Sequence, residues 1–126
     1  MNLVAEIHYP GWRLVNWANV RRHWSKRKEN RPPVELVKTG AKGYVTAPHP
    51  RRRVEIIRVG PRKLDREGLW SSIKPAIDRL KCAKWKDPKG VVHVGNGWLW
   101  DDAEEFAEIV PVQQIGDYSV IDKVFA

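Results

Sequence analysis

Leu69, Ile73, Ala76, Ile77 and Leu80 recur at three- and four-residue spacing, and this stripe restricts the fold of the 126-residue chain more than any other feature. The spacing places all five on one face of a helix, and an apolar face has to be covered by another element. Pro75 lies within the stripe, where it deletes one backbone hydrogen bond and bends the helix. Material to cover the face is legible nearby. Arg53 to Val59 reads Arg-Val-Glu-Ile-Ile-Arg-Val, charged alternating with apolar, and predicts a strand closed by Gly60-Pro61.

The remaining segments extend this pattern. Residues 2–9 partly alternate and predict a first strand, ended by Pro10-Gly11. Asn16 to Lys28 predicts a helix capped by Asn16 or Asn19, with Trp17, Val20 and Trp24 on one stripe, and Arg31-Pro32-Pro33 stops it. Residues 34–50 carry Gly40, Gly43, Pro48 and Pro50 and are expected to be irregular, with at most a short strand. Residues 81–97 are rich in lysine and glycine, with Val91, Val92 and Val94 as a short strand. Glu104 to Gln113 and Tyr118 to Phe125 predict two strands joined as a hairpin at Gly116-Asp117. The order gives an α+β fold: one domain over residues 1–126, a mixed β-sheet flanked by helices.

Charge is distributed unevenly along this chain. Residues 1–63 hold 15 Lys/Arg against 4 Asp/Glu, and residues 64–126 hold 8 against 11. The net charge of +8 and a pI near 9.9 favour a polyanionic partner, nucleic acid before an anionic membrane. Arg21, Arg22, Lys26, Arg27, Lys28 and Arg31 are dense enough to repel one another unless an anion is near, so contact with a DNA backbone is expected there. Arg51-Arg52-Arg53 reads either the same way or as protection of a strand edge. No apolar run approaches the roughly 20 residues of a membrane span, and no secretory signal is visible. A single cysteine, Cys82, fits a reducing cytoplasm.

Two acidic pairs, Asp65/Glu67 and Asp101/Asp102, interrupt the basic background. Asp65 and Glu67 fall between the strand ending near Val59 and the helix starting near Gly68. Hard cations such as Mg²⁺ take carboxylate oxygens and keep several waters, so two or three Asp/Glu groups suffice to hold one. Lys74 follows on the helix as a point charge for phosphate, with Asp78 four residues on as a partner. The plainer reading is that Asp65 and Glu67 complement the dipole of a helix start, and that Asp101-Asp102 does the same before Glu104 and Glu105. The four histidines show no metal-ligand spacing, and there is no Ser/His/Asp arrangement and no phosphate-binding glycine loop.

The run Arg58-Val59-Gly60-Pro61-Arg62-Lys63-Leu64-Asp65-x-Glu67-x-Leu69, followed by Lys74-Pro75-x-x-Asp78-x-Leu80, resembles the RusA-like Holliday-junction resolvases of bacteria and their phages. Trp100-Asp101-Asp102 is similar to the family's aspartate pair, and Asn16 through Lys28 is similar to its basic N-terminal stretch. The resemblance implies a RusA-like fold and a homodimeric, Mg²⁺-dependent crossover junction endodeoxyribonuclease that nicks four-way DNA junctions. Mn²⁺ is a possible substitute, and no small-molecule cofactor is implied. It assigns Asp65, Glu67 and Asp102 to metal and catalysis, Asp101 to their support and Lys74 to the essential basic role. It adds Arg62, Lys63 and Lys74 to Arg21, Arg22, Lys26, Arg27 and Lys28 as DNA contacts. Glu67 stands where the family has Asp, and Gly68 where it has Asn. The alternative expectation is therefore a protein that binds branched or duplex DNA without cleaving it. The segment from Lys81 to Gly97 exceeds the family's short connection, and its lysines at 81, 84, 86 and 89 offer either a DNA-contacting loop or a solvated one. Trp98 and Trp100 are candidates for stacking at a junction, while most of the seven tryptophans are expected in the core.

Overall fold

A computed structural model describes residues 2–14, 36–37 and 43–126. The expected helix over Asn16 to Lys28, with its basic residues, lies outside them. Strands β1 (Leu3–Pro10), β2 (Leu36–Val37), β3 (Arg52–Gly60), β6 (Ala107–Ile115) and β7 (Ser119–Phe125) form one sheet in the order β2-β1-β7-β3-β6. Between β3 and β6 come helix α1 (Arg66–Leu80) and a separate two-stranded ribbon, β4 (Lys84–Lys86) with β5 (Val92–Val94). The sheet is mixed: β3 and β6 are parallel, and the other pairs are antiparallel. The result is a small α+β domain with one helix among the described residues.

The expected hairpin at Gly116-Asp117 does not form. β6 and β7 flank β3 on opposite sides, so the turn carries the chain across the end of β3. Gly116 N donates to Gly60 O at 3.0 Å as it passes, and a Cβ at Gly116 would stand 3.0 Å from Val59 Cγ1. The turn residues encode a reversal of direction. The pairing partner is set instead by α1, which returns the chain parallel to β3. The preceding strand also starts later than the sequence suggests, because residues 103–106 form a turn closed by Phe106 N to Ala103 O.

One face of the sheet carries Ala5, Ile7 and Tyr9 from β1, Val54 and Ile56 from β3, and Val120 and Val124 from β7. The helix lays its expected stripe, Leu69, Ile73, Ala76, Ile77 and Leu80, into the same cluster. Each such Leu or Ile stabilises the fold by about 2 kcal/mol through the area it removes from water. Pro75 is inside α1 as expected. Asp122 occupies a fully buried position in the middle of this row, opposite Ile7 on one side and Ile56 on the other.

The end of α1 is fastened by backbone. Trp98 N and Leu99 N both donate to Leu80 O, at 2.8 and 3.0 Å, and Cys82 N donates to Leu99 O at 2.9 Å. This approach requires Gly97, since a Cβ there would come within 2.5 Å of Cys82 N. The arginines at 51–53 do not guard an edge, because β3 is interior to the sheet. Arg52 Nη1 donates to Trp98 O at 3.0 Å and to Gly43 O, and Arg51 Nε donates to Glu104 O at 2.7 Å. Arg51 and Arg52 thus tie loops to the start of β3.

Candidate functional site

The two acidic pairs are anchored at different places on α1. Asp65 is its N-cap: Oδ1 accepts from Gly68 N at 2.7 Å, which satisfies one of the amides that a helix start leaves unpaired. Glu67 is exposed in the first turn, where its charge complements the dipole. Asp101 and Asp102 follow directly on the Trp98–Leu99 segment, so the fastening of that segment to Leu80 places them beside the second half of the helix. There Asp102 Oδ2 lies 2.7 Å from Lys74 Nζ and 3.7 Å from Lys81 Nζ. Asp78 Oδ1 lies 3.1 Å from the same Lys74 and 3.2 Å from the same Lys81. Two carboxylates and two ammonium groups therefore alternate around a closed ring.

The contact between Lys74 and Asp102 shifts the protonation of both groups. The hydrogen bond from Lys74 lowers the Asp102 carboxyl to about 2, against a partial opposing effect of desolvation. Lys74 is raised in return, chiefly by Asp102. Asp101 turns back to accept from Asp102 N at 2.7 Å, and its other oxygen lies 3.9 Å from Lys84 Nζ.

Lys74 is nine residues beyond Asp65, about 13 Å along the helix axis. Among the described residues, no three His, Cys, Asp or Glu side chains converge in a way that could hold a metal ion. Mg²⁺ requires oxygens at about 2.1 Å in near-octahedral array. In this arrangement Asp65 is engaged by its own helix and Asp102 by two lysines, so the set Asp65, Glu67, Asp101 and Asp102 does not fit that ion. The arrangement does bring Lys74 to Asp102, across 28 residues of sequence, and pairs Lys74 with Asp78 as the four-residue spacing predicts.

Of the expected DNA contacts, Arg62, Lys63 and Lys74 are exposed, and Arg21, Arg22, Lys26, Arg27 and Lys28 lie outside the described residues. The lysine-rich segment is the β4–β5 ribbon. Its turn is built by Asp87, whose Oδ1 accepts from Lys89 N and Val91 N at 2.9 and 3.0 Å, with Gly90 at φ +83°. Trp85, 52% exposed, stacks on His93 with ring centroids 5.5 Å apart. Trp98 cannot stack on DNA, because it is 4% exposed and packs on Tyr44. Trp100 is half-buried, with Lys84 Nζ 5.0 Å from its ring centroid.

A scan of protein-family models and searches of curated proteins and of solved structures found no match.

Sequence reasoning missed a second basic centre at the opposite end of α1. Arg13, Leu14, Arg58, Pro61, Arg62, Leu64 and Tyr118 line a cavity of about 450 Å³ where β3 ends and β7 begins. Arg58 was hidden by its place in an alternating strand, where a charged residue reads as solvent-facing; it is 6% exposed. The available signal was Gly60, two residues on, which leaves room on the same face of the strand.

Proposed function

We propose that this chain is a DNA-binding protein of RusA-like descent that holds branched or duplex DNA without cleaving it. One observation carries this reading: Asp102, the aspartate that the resemblance assigns to metal, is closed into a ring with Lys74, Asp78 and Lys81, one helix half away from Asp65 and Glu67. The carboxylates serve the fold, and the excess of cations is left to serve a polyanion. Arg62, Lys63, Lys86 and Lys89 are exposed, and the ribbon adds an exposed indole of the kind that stacks on unpaired bases.

A Mg²⁺-dependent junction endonuclease is the second reading, and the meeting of Lys74 with Asp102 favours it, because those are the basic residue and aspartate that the resemblance puts in one site. A labelled four-way junction and a linear duplex, each incubated with the protein in Mg²⁺ and in EDTA, separate the two. The proposed reading expects salt-sensitive binding to DNA in both solutions and intact strands throughout. Paired nicks that appear only with Mg²⁺ would establish the endonuclease instead. No retardation of either DNA at low salt would remove both.

A further inference from the structure

The cavity at the end of β3 holds a buried cation with no counter-ion among the described residues. Arg58 is 6% exposed, makes no ion pair with any described carboxylate, and donates from Nη1 to Arg62 O at 2.9 Å. Its Nε is buried and has no hydrogen-bond partner among the described residues. Burial lowers its pKa, Tyr118 partly opposes that shift, and Arg13 nearby adds to it. A guanidinium stays charged under these conditions, so burying it beside a second one is costly unless an anion completes the site. The surroundings are arranged to receive one. Gly60 lies under the group, where a Cβ would come within 3.2 Å of both Arg58 Nη atoms and 3.3 Å of Tyr118 Cε1. Arg13 rests its guanidinium 5.2 Å from the centroid of the Tyr118 ring, which holds that charge over the cavity. Arg62 lines the opening with Pro61, while Leu14 and Leu64 supply apolar wall.

We infer that this cavity is a binding site for a phosphate monoester dianion, met either as the terminal 5′-phosphate of a DNA strand or as free phosphate. Guanidinium forks match phosphate oxygens bidentately, and several arginines around one small cavity suit two negative charges better than the single charge of an internal phosphodiester. The volume exceeds that of phosphate alone and falls in the range of small-ligand sites, so the sugar of an end nucleotide has room against Pro61 and Leu64. The inference rests on the reading of the chain as a DNA binder, but the cavity lies away from the Lys74–Asp102 ring and is tested separately.

The experiment compares two 3′-labelled oligonucleotides of one sequence, one with a 5′-phosphate and one with a 5′-hydroxyl, by fluorescence anisotropy on the full chain. Thermal melts with and without inorganic phosphate, at constant ionic strength, run in parallel. The 5′-phosphorylated strand is expected to bind at least tenfold more tightly, with the difference lost in Arg58→Gln and in Arg13→Gln. Arg13 is exposed, so its variant reports on the site even where Arg58→Gln fails to fold. Equal affinity for the two ends, with a phosphate-dependent rise in Tm that Arg13→Gln removes, assigns the site to free phosphate. Equal affinity with no such rise, or discrimination that survives Arg13→Gln undiminished, overturns the site. Equal affinity for the two ends and no phosphate-dependent rise in Tm in the unchanged protein, with duplex and junction binding retained, sinks the cavity alone. End recognition without any binding to duplex or junction sinks the wider DNA reading alone.

Discussion

Lys74 Nζ stands 2.7 Å from Asp102 Oδ2 although 28 residues separate them, and the contact is a consequence of backbone rather than of charge. Leu80 O accepts from both Trp98 N and Leu99 N, which fixes where the chain resumes beside the helix. Trp100 and the two aspartates follow without slack. Once there, Asp102 meets the side of α1 that already holds the Lys74–Asp78 pair, and Lys81 closes the ring. The same constraint keeps Asp102 away from the N-cap, so the fold decides which carboxylates meet.

The ring predicts an acid-sensitive increment of stability. Asp102 titrates at about 2 in the folded chain against an ordinary 3.8. A carboxyl depressed on folding contributes fully above its unfolded value, and the contribution is lost as the pH falls from about 4 to about 2. Lys74 is half exposed, so solvent screening reduces the contribution to about 1 kcal/mol. Asp102→Asn should therefore lower Tm by about 4 °C at pH 7, and its melting curve should converge on that of the unchanged protein near pH 2. Melts at both pH values check this, and a constant gap between the two proteins would exclude the ring as its source.

Asp65 distinguishes a cap from a ligand. Its Oδ1 accepts from Gly68 N, and asparagine caps a helix as well as aspartate does. Asp65→Asn should keep the stability of the parent to within about 0.5 kcal/mol, whereas Asp65→Ala should lose about 1 kcal/mol. Urea denaturation of the two variants measures the difference. Equal losses in both would mean that the charge, rather than the capping hydrogen bond, is what Asp65 contributes.

Gly97 tests the fastening of the helix end. A Cβ there meets Cys82 N at 2.5 Å and Cys82 Cα at 2.7 Å, and both are backbone that cannot swing aside. Gly97→Ala should destabilise by about 3 kcal/mol or more, as a backbone clash inside a packed joint does. Gly90, with no atom within 4 Å of its added Cβ but φ at +83°, is the control. Gly90→Ala should cost only about 1 kcal/mol, from the left-handed backbone. Similar Tm values for the two variants would contradict the close approach at Gly97.

The segments readable in the sequence are those whose period is dictated by burial on one face. Leu69, Ile73, Ala76, Ile77 and Leu80 are such a case, and so is β7, where Val120 and Val124 alternate with half-buried neighbours. Pairing was less readable. Gly116-Asp117 signals a reversal, but which strand lies beside β7 depends on the path of α1, a relation between distant segments that no local turn residue records. Trp98 was a candidate for stacking at a junction from its place before the Asp101-Asp102 pair, yet the backbone bonds to Leu80 turn it inward against Tyr44. In the candidate site, Lys74 with Asp78 follows from helical spacing, while Lys74 with Asp102 was implied only by resemblance. Arg58 was concealed because β3 is buried on both faces, at Ile56 and Ile57 alike, so its charge carried no sign of its environment.

Metal provides the remaining prediction. A ligand that binds only the folded chain raises stability by RT ln(1 + [L]/Kd), so 10 mM Mg²⁺ at a site with Kd of about 0.1 mM would add about 2.7 kcal/mol. The described carboxylates make no such site: Asp65 is taken up by its helix start, and Asp102 is neutralised by Lys74 and Lys81. A magnesium ion would have to displace two ammonium groups and then recruit Asp65 and Glu67, which lie nine and seven residues before Lys74 on the helix. Tm is therefore expected to be the same, within a degree, in 10 mM MgCl₂ and in EDTA at matched ionic strength. A rise of several degrees that Asp65→Asn and Asp102→Asn both abolish would show that the two pairs do come together around metal. The ring with Lys74 would then be the resting arrangement of a nuclease site.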